Sequence, residues 1–223
     1  MSEILFSSRT PITIVGGGPV ERTEIAELQA IAPRLVAADG GAGAALAAGV
    51  MPEAVIGDYD SIDAASRAAI PAARQHVVNA QDSTDFDKVL VAVEAPLLLG
   101  LGFLGGRLDH ELAVLSSLVQ RTGKNVVLLG SEDLVFHHSA SAGVLKLELE
   151  EGTRFSLFPL QPVTGTSRGL HWPIDGLRMA PGAAIGTSNR VAEGPVEVAF
   201  HNDGMLVILP RHCLAEVLTA RGW

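Results

Sequence analysis

The first half of the chain alternates short apolar runs with helix-like segments, and the runs lead into glycine or aspartate. ITIVGGG (12–18), LVAADGG (35–41), AVIGDYD (54–60), QHVVNA (75–80), LLLGLGFLGG (97–106) and NVVLLGS (125–131) are strand-like. Between the first two, PVERTEIAELQAIA places Ile25, Leu28 and Ile31 at helical spacing. AGAALAAGV is helix-prone, and further helices are expected to start near Asp85 and near Leu108. Continuous apolar strands alternating with helices predict a parallel sheet covered on both faces. Ligands of such sheets bind beyond the carboxyl ends of the strands, so the acidic and glycine-rich turns should converge on one rim.

The pattern changes near Asp133. LVFHHSA, VLKLELEEG, TRFSLFPL, GLHWPI, GPVEVAFHND and GMLVILP are short, β-rich and separated by turn residues, and VLKLELE alternates with period two. The expected fold class is therefore α/β, with an N-terminal parallel-sheet, Rossmann-like domain over residues 1–132. An antiparallel β-sandwich domain is expected over residues 133–223. With 48% hydrophobic and 18% charged residues, the chain is expected to pack rather than stay disordered.

A formal charge of −9 and the lack of a basic run argue against nucleic acid as a partner. The single cysteine, Cys213, fits a reducing cytoplasm. The opening residues do not resemble a signal peptide, and the longest apolar stretch is broken by Glu94, Pro96 and glycines. No membrane span of about 20 apolar residues is expected.

Chemistry concentrates in a few motifs. In GDYDS, Asp58 and Asp60 leave a strand together. Two unpaired carboxylates repel, and a divalent metal removes that conflict; the same residues also suit a plain turn. In QDSTDFDKVL, Asp82, Ser83 and Thr84 suit a helix N-cap, while Asp82, Asp85 and Lys88 fall three apart on one face. Asp85 is placed to bring a third carboxylate to Asp58 and Asp60. In LGGRLDHEL, Gly105 and Gly106 let backbone approach a ligand, and Arg107 has the fork that grips phosphate. Asp109 and His110 would orient that arginine or touch the ligand, unless Arg107 and Asp109 form only an exposed pair. ADGGA sets Asp39 at a strand end with Gly40 and Gly41 in the turn, whereas GGGP (16–19) lacks the spacing of a dinucleotide fingerprint. In the β-rich half, Trp172 of GLHWPI is either core or a flat face for an aromatic cation, and Ser188 and Asn189 of GTSNR are either a turn or polar contacts for a ring. The adjacent His137 and His138 point to opposite faces of a strand and read as structural.

Taken together, ADGGA, MPEAVIGDYDSI, DSTDFDKVL and LGGRLDH, in that order, resemble the thiamine pyrophosphokinase family. The segment from TRFSLFPL through GLHWPI and GTSNR resembles that family's thiamine-binding β domain. The resemblance implies transfer of a pyrophosphoryl group from ATP to the hydroxyethyl group of thiamine, giving thiamine diphosphate and AMP. It implies an ATP- and Mg²⁺-binding first domain and a homodimer in which thiamine lies where one subunit's first domain meets the partner's β domain. Asp58, Asp60 and Asp85 match the family's metal-binding acids. Asp39, Gln81 and Arg107 match active-site positions, with Asp109 in the same motif. Trp172 matches the tryptophan that stacks on thiamine, and Ser188 and Asn189 match its polar contacts. EAPLLLGLGF departs from the family pattern, and Pro96 is expected to end the preceding helix early. Another Mg²⁺-dependent phosphotransferase and a catalytically silent thiamine or nucleotide sensor remain as alternatives.

Overall fold

The computed structural model describes residues 4–79 and 83–223 and divides into two compact units. The first unit holds β1 (Phe6–Ser7), β2 (Ile12–Val15), α1 (Arg22–Ile31), β3 (Arg34–Ala38), α2 (Gly41–Ala47), β4 (Ala54–Gly57) and α3 (Ala64–Ala69). It continues through β5 (Gln75–Val77), α4 (Asp85–Ala92), β6 (Val93–Glu94), β7 (Leu98–Leu101), the start of α5 (Leu108–Gln120) and β8 (Val126–Leu129). Every strand pairing within this unit is parallel: β1 with β6, β2 with β7, β7 with β8, β3 with β4 and β4 with β5. β3 lies against β2, and Ile12 bridges Pro33.

The chain thus steps from β2 outward through β3, β4 and β5, then returns to the other side of β2 with β7 and β8. Such a reversal opens a crevice between the strands where the direction changes, here β2 and β7, at their carboxyl ends. All four residues in each of β2, β4, β7 and β8 are buried, as expected for strands covered on both faces. The core is correspondingly aliphatic, with Phe86 the large aromatic among the fully buried side chains of this unit.

The second unit contains β9 (Asp133–His137), β10 (Leu145–Leu147), β11 (Ser156–Pro159), β12 (Gly165–Arg168), β13 (Val196–Phe200), β14 (Met205–Pro210) and α6 (Leu214–Ala220). Its pairings are antiparallel, β11–β14–β9 in one set and β10–β13–β12 in the other. Val196, Val198 and Phe200 are buried on alternate positions of β13, the period-two signature of a half-buried strand. His137 and His138 find separate partners: the Gly204 N–H donates to His137 Nε2 (3.2 Å), and His138 Nε2 lies 3.0 Å from the Gly143 carbonyl. The chain is α/β with both parallel and antiparallel pairing. Among the described residues, no helix is long and apolar enough to cross a membrane.

Helix α2 packs unusually close to β2. A Cβ added at Gly41 would lie 2.1 Å from the Val15 carbonyl oxygen, whereas one at Gly123 meets nothing within 4 Å. Gly41→Ala is expected to cost about 2–3 kcal/mol because backbone itself must move. Gly123→Ala should stay within about 0.5 kcal/mol of the parent. Urea denaturation of the two variants checks this, and equal stabilities would contradict the close approach.

Candidate active site

Parallel register brings the acids together. Ala38 of β3 pairs with Ile56 of β4, and the Asp39 N–H extends the ladder to the Ile56 carbonyl (3.0 Å). The exits of the two strands are therefore side by side. Gly57 makes the closeness tolerable, since a Cβ there would sit 2.7 Å from the Asp39 Cβ. Asp39 itself adopts φ 38°, in the left-handed region that Asp tolerates better than most residues.

Tyr59 also lies in that region, with φ 68°. Its ring turns inward, its hydroxyl donates to the Val55 carbonyl (3.0 Å), and the Arg67 guanidinium lies 4.8 Å from its centroid. Anchoring the aromatic in this way leaves Asp58 and Asp60 at the rim on either side of it. Among the described residues, Asp39, Asp58 and Asp60 form a cluster in which one carboxylate oxygen of each lies within 4.8 Å of the others. The Ser61 N–H donates to Asp39 Oδ2 (3.3 Å) and its hydroxyl to Asp60 Oδ1 (2.8 Å).

Asp85 reaches the same region from the first turn of α4. Thr84 caps that helix by accepting the Asp87 N–H (3.2 Å). One turn on, the buried Lys88 Nζ donates to Asp58 Oδ2 (2.7 Å) and Asp85 Oδ1 (2.9 Å). Asp85 is thus joined to Asp58 through Lys88, while Asp39 takes the third place in the tight cluster. Gln81 and Asp82 lie outside the described residues.

Electrostatics follow from this geometry. Burial pushes the Asp39 pKa up to about 6, and the charges of Asp85 and Asp60 add to that against the Ser61 N–H. The Lys88 hydrogen bond holds Asp58 below the usual carboxylate range. Burial opposes the charge on Lys88, but its two carboxylate partners outweigh it and raise its pKa. Among the described residues, Oδ1 of Asp39 and Oδ1 of Asp58 are both buried and have no hydrogen-bond partner. Buried carboxylate oxygens without donors are costly unless a proton or a cation is shared between them. Oxygen-only ligands of this kind suit a hard divalent ion such as Mg²⁺.

A cavity of about 490 Å³ adjoins the cluster, lined by Gly40, Ser61, Thr84 and Asp85 on the acidic side. Its other walls include Gly17, Gly18, Pro19, Gly102, Phe103 and Val114. Gly106, Arg107 and His110 line it from the start of α5. Arg107 forks onto Asp109, Nε to Oδ1 (3.1 Å) and Nη2 to Oδ2 (2.7 Å), and both side chains are exposed. Gly105, at φ 78°, donates its N–H to the Glu111 carboxylate (3.1 Å). Gly41 faces Val15 and Gly16 rather than the cavity lining.

The GGGP turn, which lacks a dinucleotide fingerprint, forms part of this wall. A Cβ at Gly16 or Gly18 would come within 2.6 or 2.7 Å of the Gly102 carbonyl oxygen. Glycines at the ends of two apolar strands were the available signal, but only the topology shows that β2 and β7 are neighbours.

In the second unit, Trp172 is 54% exposed, so its ring is not core. His171 stands edge-on to it at 4.4 Å between centroids, and the Arg190 guanidinium lies 5.6 Å from its centroid. Ser188 takes φ 59° and donates its N–H to Ser156 Oγ (3.0 Å). Asn189 is buried, and its side chain bonds to the Trp172 backbone.

The parallel α/β unit gathers acids and glycines at its strand ends, the rim where sheets of this kind bind their ligands. Two family models match the chain: "Thiamin pyrophosphokinase, catalytic domain" over residues 25–128, and "Thiamin pyrophosphokinase, vitamin B1 binding domain" over residues 144–205. Thiamine pyrophosphokinase 1 of Oryza sativa subsp. japonica is 29% identical over 170 residues, covering 68% of this chain and 64% of the relative. The chain thus spans a little under two thirds of that relative's length. Thiamine pyrophosphokinase of Bacillus subtilis (strain 168) is 26% identical over 210 residues, covering 89% of this chain and 97% of the relative. Among solved structures, thiamin pyrophosphokinase from Candida albicans superimposes with a TM-score of 0.75 at 16% identity, covering 91% of this chain and 89% of that one. The protein from Geobacillus thermodenitrificans gives 0.72 at 22% identity, covering 90% and 97%. This chain belongs to the thiamin pyrophosphokinase family.

Two outcomes follow from the charges. Lys88→Met leaves Asp58 and Asp85 without their shared cation and is expected to cost on the order of 2 kcal/mol in urea denaturation of chelator-treated protein. That is less than a fully buried pair would lose, because both acids keep some contact with water. Asp39 holds its proton to about pH 6 when folded, against 3.8 as the ordinary value. Between those values the folded state binds a proton that the unfolded state has lost, so this residue's contribution to stability falls as pH rises through the window. The stability of Asp39→Asn relative to wild type, without metal, should therefore increase from pH 4 to pH 7. A flat difference would mean that Asp39 titrates normally.

Proposed function

We propose that this chain is a thiamine pyrophosphokinase, transferring the pyrophosphoryl group of ATP to the hydroxyl of thiamine to give thiamine diphosphate and AMP. The observation that carries this is the acidic cluster with two donorless buried oxygens beside a glycine-lined cavity. The two family models, one named for catalysis and one for vitamin B1 binding, support it. In this reading residues 1–132 form the Rossmann-like ATP- and Mg²⁺-binding domain and residues 133–223 the thiamine-binding β-sandwich domain. The protein works in the cytoplasm as a homodimer with shared active sites.

Asp58, Asp60 and Asp85 would hold Mg²⁺, with Asp39 beside them in the cluster. When bound, the ion supplies neutralisation of phosphate charge. The chain's own groups do the rest. Lys88 keeps the Asp58 and Asp85 carboxylates turned toward each other. Arg107, exposed and already shaped by Asp109, exchanges that partner for phosphate oxygens. Gly40, Gly105 and Gly106 let backbone approach the polyphosphate. The alcohol oxygen attacks the β-phosphorus, the bond from that phosphorus to the α-phosphate oxygen breaks, and AMP leaves. The alcohol proton passes to a carboxylate of the cluster, Asp60 or Asp85. Positioning and charge account for most of the rate in such transfers. Trp172 offers a flat face to the thiamine rings.

The test is one assay with ATP, Mg²⁺ and thiamine, separating AMP from ADP and free phosphate. AMP is expected in step with thiamine consumption. Asp58→Asn, Asp60→Asn and Asp85→Asn should each lower the rate by roughly a hundredfold or more, the scale on which single charge-stabilising groups act. Each variant should also lose most of the rise in melting temperature that Mg²⁺ gives the wild type. Thiamine binding without AMP would identify a sensor, and ADP or free phosphate as product would identify another phosphotransferase.

A further inference from the structure

The family resemblance makes Asn189 a polar contact of thiamine, yet its side chain is only 3% exposed. Its carboxamide is engaged with backbone: Oδ1 accepts the Trp172 N–H (3.1 Å) and the Arg190 N–H (2.8 Å), and Nδ2 donates to the Trp172 carbonyl (2.7 Å). The orientation of the amide is fixed by chemistry, since only its oxygen can face two N–H groups and only its nitrogen can face a carbonyl. Residues 170–172 run antiparallel to 189–191, with a Leu170–Val191 bridge and the His171 N–H on the Arg190 carbonyl (2.9 Å). Pro173 follows, and proline has no N–H to continue a ladder. The Asn189 side chain supplies the missing rung, pairing with both polar groups of Trp172 as a peptide unit would.

The segment carrying Asn189 is itself pinned. The Phe155 N–H donates to the Asn189 carbonyl (2.7 Å), and Ser188, with φ 59°, donates its N–H to Ser156 Oγ. The Trp172 ring itself is half exposed, with His171 edge-on to it and the Arg190 guanidinium over it. We infer that Asn189 is a positioning residue that fixes the backbone of Trp172, and that it acts on thiamine through that ring rather than by touching the ligand. This inference rests on the thiamine reading proposed above.

The chain has two tryptophans, so Trp223→Phe leaves Trp172 as the single reporter. In that background and without ligand, Asn189→Ala is expected to lower the fluorescence anisotropy of Trp172 and raise its quenching by acrylamide. The KM for thiamine should rise roughly tenfold, the scale of one or two lost hydrogen bonds, with kcat and the KM for ATP within about twofold. In a Trp172→Ala background, Asn189→Ala should add almost nothing to the thiamine KM, because the residue acts through the missing ring. Unchanged Trp172 anisotropy in Asn189→Ala, or additive effects in the double variant, would overturn the inference. If the alanine variant does not fold by circular dichroism, Asn189→Asp replaces it. That variant keeps both accepted bonds, loses the donated one, and should show a smaller anisotropy loss in the same direction; no loss overturns the clamp. If the wild type makes no AMP from thiamine, the thiamine reading falls, and the ligand-free anisotropy alone decides whether Asn189 holds Trp172.

Discussion

Adjacent parallel strands end at the same rim, and this chain puts an aspartate immediately after each of two neighbours. Asp39 follows β3 and Asp58 follows β4, and the register sets Asp39 opposite Gly57 with Asp58 one residue further on. Nothing in the aliphatic strands beneath can answer that charge. The local sequence is arranged around it instead: Gly57 gives up a side chain to make room, and Tyr59 and Asp39 accept left-handed backbone. Lys88 is placed inside the fold to satisfy one oxygen each of Asp58 and Asp85. Among the described residues, one oxygen on Asp39 and one on Asp58 are still left without a hydrogen-bond partner. Strain and unpaired polar atoms gathered at one point are tolerated where a ligand relieves them.

The cavity beside the acids has a different origin. The chain winds away from β2 in one direction through β3, β4 and β5, and in the other through β7 and β8. Connections leaving β2 and β7 therefore diverge, and the space between them is available to a ligand. Gly16, Gly18 and Gly102 let the two turns come together at the base of that space, closer than any side chain allows. Phe103 then covers the base, its ring tilted against Phe86 at 4.8 Å between centroids. Acid cluster and crevice share one rim because both are consequences of parallel strand order, not because their residues are near in sequence.

That distinction explains what could be read in advance. The alternation of apolar runs and helices gave the parallel unit, and period two gave the antiparallel one, since both depend on spacing within a segment. Asp58 and Asp60 were legible as a pair because only Tyr59 separates them. Asp39 was expected on the same rim, but its place inside the tight cluster was not legible, because it depends on which strand lies beside β4. Lys88 could be placed on a helix face with Asp85, but not between Asp85 and Asp58, which is 30 residues earlier. Pro96 was expected to end its helix; α4 in fact stops at Ala92, and Val93 and Glu94 turn extended to pair with Phe6 and Ser7. A two-residue strand leaves no periodicity to detect. Asn189 was visible as a polar residue near Trp172 only through resemblance, and its hydrogen bonds were invisible because they cross 17 residues of chain.

The two candidate ligand surfaces are prepared in opposite ways. At the acidic rim the described residues leave two buried carboxylate oxygens without donors, and in the reading proposed above a cation would meet them before phosphates enter, so binding would depend on cation concentration and salt. At Trp172 both backbone groups bond to the Asn189 side chain, and the Arg190 guanidinium lies over the ring. What that surface offers is a flat ring on a backbone held by Asn189, so less ordering entropy would be lost if another ring stacked on it, as proposed above. A carboxamide serves that purpose better than a carboxylate, because the rung it replaces must both donate and accept. The choice of asparagine at position 189 and aspartate at positions 39, 58 and 60 therefore follows one rule. Where the fold needs its own polar groups satisfied the side chain is neutral and two-sided, and where a cation would sit in the proposed reading the ionised side chain can only accept.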